Sequence, residues 1–425
     1  MSSTATEKMA AAKQPRPIAR AEHIGSLLRP EKVKRLVEQT YEPGHSALLA
    51  EERAKDLSEL HAAEEEAIRE AVRRQLEIGL DVVSDGEFRR FMFTGSFYDA
   101  VDGLTAGTGQ VPFTNEDGEL EFYTGLPVVD GELHKIDSPA AREATFLRSL
   151  TDHPFKVTFP AASIFWFPLA YVPGVTDRVY ATQADMVERM IEIEREQVAE
   201  AIAAGATYVQ FDWPVYPALG DEAAVAMFKD NGVDPDWLLD RLIEADRKVI
   251  EGIPAGVRTG LHLCRGNHKS KWIYNGPMDA YAERMFNELP YDVFLMEWED
   301  TAREGDYSAL KYVPRGPVVA MGIMSSKKPR VETVVGSELD LHREHLEWRV
   351  VLDGDAEIDE THRRHPTGEE PRLRRWRRLR RPHDPRPATQ ARLASAQPRG
   401  QMRSAASTSV SSLRHWMSSV ISLPT

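Results

Sequence analysis

The chain has 425 residues, 42% of them hydrophobic and 28% charged, enough to bury one large core or two smaller ones in a soluble enzyme. A net charge of −14 argues against a general nucleic-acid binder, and one cysteine rules out an intrachain disulfide. No run approaches the roughly 18 apolar residues of a membrane span, and the polar start lacks a secretory apolar region, so a cytoplasmic location is expected.

Residues 1–15 are small, polar and aperiodic, and are expected to be disordered. A repeating unit follows: an amphipathic helix, a glycine, then a short apolar strand that ends on a polar or acidic residue. Its clearest instance starts near Leu57. Leu60, Ile68, Val72 and Leu76 recur at multiples of four on one helical face, and Gly79 supplies a left-handed stop. The strand Leu80–Val83 then runs into Asp85-Gly86-Glu87. Residues 107–137, with Asp117-Gly118 and Asp130-Gly131 between alternating segments, read as a hairpin-rich insertion.

Downstream, helix 185–204 stops at Gly205, and strand Thr207–Phe211 ends on Asp212. Helix 236–251 leads to strand Thr259–Leu263, which carries His262 and precedes Cys264. Helix 278–288 leads to strand Val293–Met296, which ends on Glu297. Val318–Ile323, Ala19–Ile24 and Phe155–Phe159 complete seven strand candidates. Alternation of strands and helices predicts α/β architecture with a parallel sheet. Polar residues gathered at strand C-termini favour a TIM-type (β/α)8 barrel, whose chemistry lies at that face. A dinucleotide fold would want a glycine-rich turn after an early strand, and none is present.

The barrel's eighth strand is not legible. Residues 16–334 form the expected barrel domain, and the character of the chain changes after it. Residues 335–425 hold 16 Arg against 12 acidic residues, a net +4 that leaves −18 for the rest. They contain six of the 13 His but no Lys, Phe or Tyr. This segment reads as a basic, disordered tail, and its composition matches out-of-frame translation of a GC-rich gene better than a natural tail for acidic partners. The metal-like spacings His342-x-x-His345 and His362-x-x-His365 fall inside it and are set aside.

His262-Leu263-Cys264 is the sharpest chemical feature. Residues i and i+2 of a strand share a face, so imidazole and thiol converge at the strand end. Glu297 ends the next strand. Nitrogen, sulfur and carboxylate donors together suit Zn²⁺ with a position left open. A core cysteine beside a strand-end histidine is the plainer alternative for the first pair. Asp85, Glu87 and Asp212 are carboxylates at strand ends, expensive to bury unless they meet a cation or an amine. His23-Ile24-Gly25-Ser26 ends the first strand with a glycine that permits close backbone approach. Trp166 and Phe167 could stack on a planar ring or simply fill the core.

Together these residues resemble the short members of the cobalamin-independent methionine synthase family, over about residues 17–334. The motifs are His23-Ile-Gly-Ser26, Ser84-Asp-Gly-Glu-Phe88, Gln210-Phe-Asp-Trp-Pro214, His262-Leu-Cys264, Met296-Glu297 and Gly322-Ile-Met-Ser-Ser-Lys327. The resemblance implies a TIM-type barrel with catalytic zinc that transfers the methyl group of 5-methyltetrahydrofolate, usually polyglutamylated, to homocysteine. It implies His262, Cys264 and Glu297 as zinc ligands. Ile24, Gly25 and Ser26 would hold homocysteine, Glu87 and Asp212 its amino group, and Trp166 the pterin. The family's fourth ligand is a second cysteine, which this chain lacks, and Ser325-Ser326 stands where full-length members carry a histidine. Rival readings are another thiol alkylation on the same scaffold, as in coenzyme M lyases, a pseudoenzyme that binds a small amino acid, and a metal-free decarboxylase of the uroporphyrinogen type.

Overall fold

A computed structural model describes residues 21–167, 170–322 and 348–350. The expectations for residues 1–15, and for 335–425 apart from Trp348–Val350, lie outside these, as do Ser325 and Ser326. The main sheet holds six parallel strands. The α/β class read from the sequence is therefore the observed one.

In chain order the principal elements begin with α1 (Glu31–Thr40) and α2 (Ser58–Glu77). Strands β1 (Val101–Ala106), β2 (Gln110–Thr114), β3 (Leu120–Thr124) and β4 (Pro127–Lys135) form two antiparallel pairs, β1 with β4 and β2 with β3. Next come α3 (Pro139–Leu150), β5 (Lys156–Pro160), α4 (Gln183–Ala203) and β6 (Tyr208–Asp212). They are followed by α5 (Glu222–Asp230), α6 (Pro235–Ile250) and β7 (Arg258–Leu263). Then come α7 (Ala282–Glu288), β8 (Val293–Glu297), β9 (Val318–Gly322) and β10 (Trp348–Val350). The sheet order is β5-β6-β7-β8-β9-β10.

The four helices read from the sequence are present as α2, α4, α6 and α7, with one correction of consequence, and α1, α3 and α5 join them. In α2, Leu60, Ile68 and Val72 are buried, and Gly79 takes the positive φ of +81° that the left-handed stop requires. Leu76, expected on the same face, is exposed; Gln75 is buried in its stead. Gln75 donates from Nε2 to the Ser84 carbonyl at 2.9 Å and accepts from the Ser84 amide at 2.9 Å. The helix thereby pins the chain that leads into Asp85 and Glu87.

Four further expectations need revision. Asp130-Gly131 is no turn: it lies within β4, opposite Gly103, where the β1–β4 register shifts. There φ of Gly103 is +91°, and a Cβ would lie 2.4 Å from the Glu132 carbonyl oxygen, so only glycine fits the bulge. The insertion accordingly starts at Val101, earlier than expected. Leu80–Val83 and the segment ending at Ile24 are not full strands; Val83 makes a single parallel bridge to Phe155. Finally, Trp348–Val350 pairs in parallel with β9, Trp348 opposite Val319 and Val350 opposite Met321. A strand thus occupies the place where none was legible, because three residues are too few to show a period of two.

One face of the sheet carries an apolar cluster of Val293, Leu295 and Ala320, and Ile24 packs into it. The same N-terminal segment reaches β5, where Glu22 pairs with Lys156 at 3.2 Å. The segment 22–24 therefore spans from β5 to β9 across that face.

Several carboxyls are buried without a full complement of cations. Burial pushes Asp85 and Asp99 up to about 7 and Glu64 up to about 8. Such groups are protonated in the fold and ionised in the unfolded chain between their ordinary values and these raised ones. The folded state then binds more protons, so stability falls as pH rises from about 4 through 8, at up to about 1.4 kcal/mol per pH unit for each group. Thermal unfolding should show a melting temperature that declines from pH 5 to pH 8. Asp99→Asn, which keeps the acceptor for the Leu48 amide, should flatten that decline; an unchanged slope would exclude Asp99 as a source.

Candidate functional site

Register builds the site. In parallel neighbours, paired residues point to the same side of the sheet. Asp212 of β6 pairs with His262 of β7, and His262 with Leu295 of β8. Leu263 pairs with Met296, so Cys264 comes one step beyond, level with Glu297. Glu297 in turn pairs with Gly322 of β9. The C-terminal edge therefore presents Asp212 and His262 at one level and Cys264 and Glu297 at the next.

Side-chain contacts tie these levels together. Asp212 Oδ1 lies 3.1 Å from His262 Nδ1 and accepts a 2.6 Å hydrogen bond from Gln210 Nε2. Glu297 Oε2 accepts from the Arg265 amide at 2.8 Å, and its Oε1 lies 3.3 Å from Arg303 Nη2. Arg303 also donates to Glu299 at 2.5 Å and stacks its guanidinium over Trp272 at 4.3 Å. Burial raises Asp212, with His262 opposing that rise.

A second set of contacts centres on Glu87. Its Oε2 accepts from Ser26 Oγ at 2.6 Å and its Oε1 from Thr158 Oγ1 at 2.7 Å. Thr158 accepts from Arg90 Nη1 at 2.8 Å, while Arg90 forms a two-pronged pair with Glu143 at 2.9 and 2.5 Å. Burial pushes Glu87 up, but Arg90, Ser26 and Thr158 outweigh it and hold the carboxyl below its usual range. Gly25 passes so close that a Cβ there would sit 3.0 Å from Glu87 Oε1. Beside it, His23 Nε2 lies 2.9 Å from Gln75 Oε1 and 3.0 Å from Ser84 Oγ; burial, with Lys156, takes the ring down to about 4, so it is neutral at physiological pH. Asp85 Oδ1 accepts from the Glu87 amide at 2.9 Å, which makes Asp85 a support for the loop.

Among the described residues, four non-glycine positions have a positive φ: Glu87 at +57°, Trp213, next to Asp212, at +56°, and Lys269 and Ser270 in the turn bridged by His268 and Lys271. Non-glycine residues in this region cost about 1–3 kcal/mol each and collect at functional sites.

Of the residues read from the sequence, Ser26 and Glu87 share one set of contacts, while Asp212 and His262 share another that Ile24 enters through its carbonyl. Cys264 and Glu297 are brought level by register. Trp166 stands apart: it ends the 3₁₀ turn Ala162–Trp166 and packs edge-on against Trp237 at 5.6 Å. Sequence reasoning missed the roles of Gln210, Thr158, Lys156, Arg90, Arg265 and Arg303; Gln210 stood in a quoted motif but had no assigned partner. A separate group, His45, Glu51 and Glu52, brings ligand atoms within 4.8 Å of one another. Glu52 there accepts from the amides of Glu42 and Leu49, which is a local backbone-capping role.

The donor types at these strand ends are those a metal takes. His262, Cys264 and Glu297 supply nitrogen, sulfur and oxygen, a combination suited to Zn²⁺. Each flanking contact is of the kind that orients metal ligands: a carboxylate on the histidine ring, and an amide and a guanidinium on the carboxylate.

A family model described as the catalytic domain of the cobalamin-independent synthase matches residues 43–336. The chain is 28% identical over 320 residues to the uncharacterized protein YxjH of Bacillus subtilis, covering 74% of this chain and 79% of that one. It is 30% identical to the 5-methyltetrahydropteroyltriglutamate–homocysteine methyltransferase of Thermosynechococcus vestitus over 164 residues, 37% of this chain and 19% of that enzyme. Among solved structures, a putative vitamin-B12-independent methionine synthase from Listeria monocytogenes superposes with TM-score 0.55 at 21% identity, covering 79% and 91% of the two chains. A B12-independent methionine synthase from Shewanella sp. W3-18-1, solved in complex with selenomethionine, gives 0.55 at 20% identity over 80% and 92%. The structural likenesses establish the fold, and the family match spans more than half of the sequence. The chain belongs to the family of the cobalamin-independent synthase catalytic domain.

Proposed function

We propose that this protein is a zinc-dependent methyltransferase that passes the methyl group of 5-methyltetrahydrofolate, in its polyglutamate form, to homocysteine. The observation that supports the reading is the contact of Asp212 with His262 at the strand ends that also carry Cys264 and Glu297. We also read the six-stranded sheet, with segments 21–24 and 81–84, as one eight-stranded barrel; Ile24 packed against Val293, Leu295 and Ala320 supports it.

His262, Cys264 and Glu297 would hold the zinc. Bound there with a position open, it would supply a Lewis acid that keeps a substrate thiol deprotonated near neutral pH, where a free thiol of pKa ~8.5 is mostly protonated. The chain's own groups do the placing. Glu87, kept ionised by Arg90, Thr158 and Ser26, faces the amino group together with Asp212. Ser26 Oγ and the backbone of Ile24 and Gly25, which lie against Glu87, would line the same site, whereas Trp166, packed edge-on against Trp237 away from these contacts, is given no part in it. The thiol sulfur then attacks the methyl carbon, and the carbon–sulfur bond forms as the bond from methyl to donor nitrogen breaks. A second reading is alkylation of the same kind of thiol by another electrophile, since the family match over residues 43–336 does not by itself fix the donor. Replacing methylfolate by an epoxide as co-substrate separates the two.

Two measurements test this function. Cys264→Ser should lose both stoichiometric zinc and methyl transfer; full zinc content in a folded Cys264→Ser protein would refute the metal assignment. Thr158→Val removes the hydroxyl between Arg90 and Glu87, a hydrogen bond to a charged group worth about 1.5–3 kcal/mol. Homocysteine affinity should fall about tenfold or more by calorimetry, and unchanged affinity would remove Glu87 from the amino-group site.

A further inference from the structure

The buried core of the sheet face holds a polar chain that the proposed chemistry does not use. Lys156 of β5 has a fully buried side chain, and among the described residues its ammonium hydrogen-bonds to Glu22 at 3.2 Å and to Gln210 Oε1 at 2.8 Å. Gln210, equally buried, spends both N–H groups elsewhere: Nε2 donates to the Ile24 carbonyl at 2.8 Å and to Asp212 Oδ1 at 2.6 Å. One amide thus grips the backbone of the Ile24-Gly25-Ser26 segment and the carboxylate of Asp212 at once.

An amide side chain can rotate by half a turn and exchange its oxygen and nitrogen at little cost in shape. In the rotated state Gln210 would present its oxygen to two acceptors, the Ile24 carbonyl and Asp212. Lys156 forbids this, because an ammonium has three donors and no acceptor. It accepts only the orientation in which Oε1 faces it, and that orientation aims both N–H groups at the site. A buried ion pair is costly to keep and weak as a stabiliser, which leaves orientation as what Lys156 and Glu22 contribute.

We infer that Gln210 is a positioning residue, locked by Lys156, that fixes the spacing between the Ile24–Ser26 backbone and the Asp212 carboxylate and so selects an α-amino-acid thiol. The inference rests on the reading that these two elements hold the amino acid. It adds a specificity element that lies beneath the pocket and need not touch the substrate.

Gln210→Glu tests it with almost no change in shape. The new carboxylate still accepts from Lys156, but it cannot donate to the Ile24 carbonyl and it repels Asp212. Calorimetry on the full chain, with zinc content checked for each variant, should show homocysteine affinity reduced at least tenfold. Affinity for methyltetrahydrofolate should stay within about twofold of the wild type, a selectivity that general loosening of the fold would not produce. Should Gln210→Glu fail to fold, Lys156→Met, which removes one of the three contacts that fix the amide's orientation, should give the same selective loss to a smaller degree. Equal homocysteine affinity in wild type and the folded variant would overturn the inference. Failure of the wild type itself to bind homocysteine would instead overturn the functional reading beneath it.

Discussion

The site depends on strand register. Because β6, β7 and β8 are parallel neighbours, a residue's level along one strand fixes which residues flank it on the next two. Asp212, His262 and Leu295 share a level, and Glu297 closes the level above. A slip of one residue in β7 would turn both His262 and Cys264 to the opposite face and dissolve the donor set. The apolar residues Val293, Leu295 and Ala320, with Ile24 against them, hold that register by burying the same face.

Charges buried beneath the site make sense only as an orienting frame. Arg90 and Glu143 are each almost wholly buried, and so are Lys156 and Glu22. Ion pairs in such places gain little over apolar packing, since desolvation cancels most of the attraction. What they gain is direction. Arg90 sets Thr158, which sets Glu87; Lys156 sets Gln210, which sets Asp212. Two carboxylates are thereby aimed by two separate cations, and the positive φ at Glu87 and beside Asp212 adds a backbone cost at both places.

Much of this was legible in the sequence, and the rest failed for physical reasons. Helices with a strong 3.6 period and a glycine stop were placed within a few residues, as were the strands that carry Asp212, His262 and Glu297. Carboxylates at strand ends pointed to the site because burying them needs a partner. The partners themselves were invisible: Lys156, Gln210 and Thr158 meet Glu22, Asp212 and Glu87 across separations of two to 134 residues, and nothing local marks such pairs. Asp130-Gly131 was misread because the same dipeptide serves a hairpin turn or a bulge, and only its neighbour Gly103 decides. Leu76 was misread because a helix twenty residues long drifts off a strict period of four. Trp348–Val350 was missed because three residues carry too little pattern.

The central claim is that His262, Cys264 and Glu297 bind zinc with a place left for a thiol. Zinc K-edge X-ray absorption on the purified protein measures it directly. The account predicts one sulfur at about 2.3 Å with nitrogen and oxygen neighbours at about 2.0–2.2 Å, and a second sulfur in the shell once homocysteine is added. A shell of nitrogen and oxygen alone, or one that homocysteine leaves unchanged, would contradict it.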